Sequence, residues 1–115
     1  MNARDAFSIF DKFQAEEITI FCEGLLFGLS FVLRGRVSKL SEDEVEITTL
    51  DGEATICLRL AADGLSFAYR EVRNYPALSH LLQEYQTGMG LVIEFPDRGA
   101  MPRRERVICV EIPKP

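Results

Sequence analysis

The sequence predicts a mainly β protein of the α+β class: a strongly bent antiparallel small barrel with an N-terminal helix and a second helix near residues 76–87. Three observations lead there. Five runs rich in β-branched and aromatic residues follow one another between Ile18 and Val72, divided only by short polar breaks. Two of those breaks contain Asp-Gly, the step that favours tight hairpins. Helical spacing of apolar residues occurs before Ile18 and again after Pro76. At 115 residues and 47% hydrophobic content, the chain fits a single domain over 1–115 with one core.

The elements follow in order. From Asn2 to Glu17, Ala6, Phe7, Phe10 and Phe13 recur every three or four residues, with Asp5, Asp11, Lys12 and Glu16 between them, which is an amphipathic helix. A long strand then runs roughly from Leu29 to Leu40. Its apolar residues Leu29, Phe31, Leu33 and Val37 occupy odd positions and Leu40 an even one, so a bulge or sharp bend is expected. Gly35 marks a place where the strand can coil tightly or let another backbone approach. The turn at Asp51-Gly52 sets Ile47 against Ile56, Val45 against Leu58 and Glu44 against Arg59, apolar on one face and opposite charges on the other. The break at Asp63-Gly64 sets Leu60 against Phe67 and Leu58 against Tyr69, so three strands are expected to form a meander that curls into the barrel. Pro76 opens the second helix, with Leu78, Leu81, Leu82 and Tyr85 on one face and Gly88 at its end. Two late strands, "GLVIEF" and "RVICVEI", are joined by "PDRGAMPRRER". Val107 to Val110 is apolar on both faces, as in a strand covered on both sides or at a subunit contact.

Composition narrows the function. The formal net charge of −5 argues against a general nucleic-acid binder. The apolar stretch Gly24 to Leu33 falls short of the roughly 20 residues that span a bilayer, and the N-terminus lacks a signal-peptide pattern, so a cytoplasmic protein with no membrane partner is expected. Cys22, Cys57 and Cys109 are distant in sequence and give neither a disulfide framework nor a metal knuckle. His80 is the only histidine; it adjoins Ser79 on a helix, where neighbours diverge, so no triad is read. The acidic run Ser41 to Glu46 lacks the central glycine and spacing of a calcium loop. No catalytic, metal or cofactor residue is expected.

The order helix, long bent strand and short meander resembles the Sm-like family of small β-barrels, over the chain from the first helix to Val72; generic SH3-like barrels are also similar. Gly35, Val37, Leu40, Val45 and Ile47 follow the apolar skeleton of the family's first motif, one residue shorter. Ser41 stands where the family's RNA-contacting Asp would be, and no Asn follows. Arg70 is followed by Glu71 where the family's second motif has Arg-Gly. The resemblance therefore implies shape and ring-like self-association through strand edges, and does not carry over the RNA site.

The candidate contacts are cationic. Arg34 and Arg36 share one strand face, opposite Leu33 and Val37, while Arg98, Arg103, Arg104 and Arg106 cluster in the late loop. Glu44 and Glu46 on the next strand offset part of this charge, and the loop has no aromatic residue for base stacking. The apolar first helix, "GLLFGLSF" and the last strand together carry more apolar surface than one small barrel covers. The leading expectation is a non-enzymatic, self-associating module that binds a protein partner or acts as a scaffold. The runner-up is an Sm-like RNA binder using the arginines; a third is a small enzyme with a reactive Cys57, activated by Arg70 opposite it.

Overall fold

The chain begins with a capped helix. In the computed structural model, which describes residues 1–26, 28–72, 88–96 and 105–112, α1 spans Ala3–Ala15. The Asn2 side chain accepts the Asp5 N–H at 2.9 Å, and the Asp5 carboxylate accepts the Asn2 N–H at 3.0 Å. This reciprocal cap stabilises the helix start by about 1 kcal/mol. Ala6, Phe10 and Phe13 are fully buried, and the two rings meet edge to face with centroids 6.0 Å apart. The expected second helix over 76–87, with His80, lies outside the described residues, as does the segment 97–104 holding Arg98, Arg103 and Arg104.

Seven antiparallel strands follow: β1 (Ile20–Leu26), β2 (Leu29–Ser41), β3 (Glu44–Thr49), β4 (Thr55–Arg59), β5 (Ser66–Val72), β6 (Gly88–Glu94) and β7 (Arg106–Glu111). They form one sheet in the order β4-β3-β2-β1-β7-β6-β5. The mainly β class and the N-terminal helix are thus as expected. The register at Asp51-Gly52 holds pair for pair, with Ile47 against Ile56, Val45 against Leu58 and Glu44 against Arg59. The bulge is present too, because the β2–β3 register shifts between Val37 and Lys39 and so brings Leu40 opposite Val45. Gly35 is where β3 approaches: an added Cβ would collide with the Thr48 carbonyl oxygen.

The third strand of the meander is a correction. β5 pairs with β6 instead of β4, setting Phe67 against Ile93 and Tyr69 against Leu91, and β4 and β5 lie at opposite ends of the strand order. Leu58, Leu60, Phe67 and Tyr69 nevertheless belong to one apolar cluster. The alternation had recorded the face that each strand presents, and a shared face does not require adjacent strands.

The same observation settles the bending. A flat seven-stranded sheet separates its edges by roughly 29 Å, whereas the chain from Arg59 to Ser66 reaches at most about 25 Å. The sheet must therefore curl, although β4 and β5 are not hydrogen-bonded to each other and the barrel stays open. Its inner face wraps α1, joining Phe10 and Phe13 to residues of all seven strands in the main core. Phe21, Val72, Val92, Ile108 and Val110 form a second buried cluster on the outer face. β7, paired with β1 and β6, contributes Val107 and Cys109 inward and Ile108 and Val110 outward, which answers the two-sided apolar pattern within one chain. No described helix is long and apolar enough to cross a membrane.

Candidate functional site

Of the candidate arginines, the described Arg34, Arg36 and Arg106 share the outer face and do not make one patch. Arg34 is exposed on β2 with its guanidinium 4.6 Å from the centroid of the Phe21 ring, a cation–π contact. Arg36, two residues on, is exposed and donates from Nε to the Thr19 hydroxyl at 3.5 Å. Arg106 opens β7 beside Leu25, whose β2 partner is Ser30. That puts it about 13 Å along the strands from Arg34 and two strands across. Its guanidinium lies 4.0 Å from Glu23. On the neighbouring strand Glu46 faces Lys39, and Glu44 accepts a 3.0 Å hydrogen bond from Arg59. Among the described residues, cations and carboxylates alternate over this surface, which offsets their charges locally.

Cys57 has a different neighbourhood from the expected one. It sits exposed on β4 opposite Glu46, with Glu44 Oε2 3.9 Å from its sulfur, and Arg70 is on the far edge strand. Desolvation, then the Glu44 and Glu46 carboxylates, push the thiol above its ordinary pKa, with Arg59 offsetting part of the effect. A nucleophilic cysteine needs the opposite environment. Among the described residues no group of His, Cys, Asp and Glu is placed to hold a metal ion. A cavity of about 280 Å³ opens between the start of α1 and the β2–β3 turn, lined by Ala3, Arg4, Phe7, Glu42, Asp43, Leu60 and Ala61. Its lining has one cation, two carboxylates and an apolar wall, with no nucleophile among them.

Among the described strand residues, the largest apolar exposure lies on the β1–β2 hairpin. Leu26 pairs with Leu29 across a two-residue loop, and Gly28 takes a φ of 77° there. A left-handed residue is what a hairpin this tight demands. Toward the tip both faces are apolar: Leu26, Leu29 and Phe31 continue the inner face, Leu25 and Val32 the outer. Leu29 is 71% exposed and Val32 48%, while Leu25, Leu26 and Phe31 are half-buried. Gly24 lets the Phe31 ring lie across β1, since an added Cβ there would collide with that ring. The sequence marks "GLLFGLSF" as apolar surplus, but alternation cannot say which surplus the fold absorbs. α1 and β7 are absorbed, and the hairpin tip is not.

No protein-family model matches this chain, and searches of curated proteins and of solved structures found no match.

Proposed function

We propose that this protein is a non-enzymatic β-sheet module that self-associates through the tip of its β1–β2 hairpin and serves as a scaffold or protein-interaction unit. The exposure of Leu29 and Val32 on a hairpin apolar on both faces supports this reading. Removing each from water in a contact between copies is favourable by about 1–2 kcal/mol, given their present exposure. The alternating charges of the outer face and the raised thiol of Cys57 favour it over RNA binding and over cysteine chemistry. The Sm-like resemblance remains a proposal about shape, since helix, long bulged strand and Asp-Gly hairpin occur here in that order.

Sedimentation over a range of concentrations tests the reading. The wild type should show a concentration-dependent mass above the monomer, and Leu29→Asp with Val32→Asp should return it to the monomer with an unchanged circular dichroism spectrum. A wild type monomeric throughout would end the proposal. Tight RNA binding that weakens with salt and is reduced by Arg103→Ala with Arg104→Ala would replace it with the nucleic-acid reading.

A further inference from the structure

We propose that Cys22 and Cys109 are a latent cross-strand disulfide, closed by a peroxide oxidant, that latches the two halves of the sheet together. The two residues are direct partners on β1 and β7. The Ile112 N–H donates to the Thr19 carbonyl at 3.0 Å, which makes Thr19 and Ile112 a hydrogen-bonded pair. Alternation along the ladder then makes Cys22 and Cys109 a non-hydrogen-bonded pair, whose Cα atoms approach to about 4.5 Å. A disulfide bridges Cα separations of about 4.4–6.8 Å. Both side chains point into the main core, and the sulfurs already touch at 3.4 Å. Closing to the bonded length of about 2.05 Å needs a small side-chain rotation and no change of register.

The chemistry balances with hydrogen peroxide. One sulfur, as thiolate, attacks a peroxide oxygen, the O–O bond breaks, and the departing hydroxide takes a proton to leave as water. The resulting sulfenic acid is attacked by the second sulfur, the S–S bond forms, and the hydroxyl leaves as a second water. The two thiols together give up two electrons and two protons to the peroxide. Both cysteines are fully buried. The contact with Cys109, and then burial, hold Cys22 well above its ordinary pKa, so thiolate is scarce until the β1–β7 seam opens. The latch therefore sets slowly, and the same burial shields it from reductants once set.

Its position gives it leverage. β1–β7 is the ladder that joins β2, β3 and β4 on one side to β6 and β5 on the other. A bond across it ties the first half of the chain to its last strand and closes a loop containing most of the sequence, which restricts the unfolded state. Cys57 lies apart, exposed on the edge strand β4.

The test treats folded wild-type protein and Cys57→Ser with hydrogen peroxide, blocks remaining thiols under denaturing conditions, and maps the peptides by mass spectrometry. The expected result is a monomer-length product lighter by two hydrogens, with Cys22 and Cys109 joined in one cross-linked peptide. Its urea midpoint should be raised and should return to the untreated value after dithiothreitol. Alkylation of both cysteines after treatment, sulfinic acid on either one, or cross-links only between chains would overturn the proposal. Cys109→Ser in the Cys57→Ser background should leave Cys22 alkylatable; if that variant does not fold, the wild-type peptide map decides alone.

Discussion

Replacing Gly35 by alanine tests the close approach of β3 to β2. The added methyl would collide with the Thr48 carbonyl oxygen, stand 2.9 Å from its carbonyl carbon and lie 3.2 Å from the Thr49 Cα. All three atoms are backbone, so no rotamer change relieves the contact, and β2 and β3 must part. Overpacking of this kind costs about 1–3 kcal/mol, and each ladder hydrogen bond stretched as the strands separate forfeits about 1 kcal/mol. The expected loss is about 2–4 kcal/mol, a large share of the roughly 5–15 kcal/mol that holds a domain together. Gly52→Ala is the control, because Gly52 has nothing within 4 Å and only its φ of 76° to strain, at a cost of about 1–2 kcal/mol. Urea unfolding followed by circular dichroism measures both. If Gly35→Ala costs no more than Gly52→Ala, the close approach of β3 is absent and the β2–β3 packing described above is wrong.

Two further outcomes follow from the core and from the edge strand. Phe13→Ala removes a fully buried ring from its edge contact with Phe10, and thermal or urea unfolding should show a loss of about 3–5 kcal/mol; a loss below about 1 kcal/mol would mean that α1 is not seated in the curled sheet. The rate of Cys57 alkylation should still be climbing with pH at the ordinary thiol value of 9.0, its midpoint lying above that, since a raised pKa leaves less thiolate at any given pH. Glu44→Gln with Glu46→Gln should move that midpoint down, and a midpoint already below 9.0 in the wild type would contradict the carboxylate environment.

What could be read from the sequence divides along a physical line. The first helix, the Asp51-Gly52 register, the bulge after Val37 and the close approach at Gly35 are local or neighbour-to-neighbour features, and residue patterns of a few positions specify them. The partner of β5 is a matter of topology. Leu60 and Phe67 alternate in phase because both line the core, and the same phase fits pairing with β4 or with β6. Closure failed to follow for the same reason: curling is required by the short link after Arg59, but hydrogen bonding between the edges is not. At the candidate surfaces, the shared face of Arg34 and Arg36 was legible from their spacing, whereas the distance of Arg106 from them depends on β7 lying beside β1. The contact of Cys22 with Cys109 depends on that same adjacency and leaves no trace in their spacing.

Val32 and Ile108 show why an apolar residue on the outer face does not by itself reveal its role. Both flank Glu23, one on β2 and the other on β7, so they occupy the same face of the sheet two strands apart. Ile108 is completely buried in the outer cluster, while Val32 is 48% exposed. An aspartate at Ile108 would place an unpaired charge among Val92, Phe21 and their neighbours, at a cost of several kcal/mol that a domain of this size does not survive. The same substitution at Val32 leaves the carboxylate half in water but opposite Glu23, and should cost roughly 1 kcal/mol, which the fold survives. Ile108→Asp should therefore lose the cooperative unfolding transition, and Val32→Asp should keep it while lowering the mass of the associated particle. If Val32→Asp unfolds the chain as Ile108→Asp does, the hairpin residue belongs to the outer core, and its apolar character reflects folding in place of association.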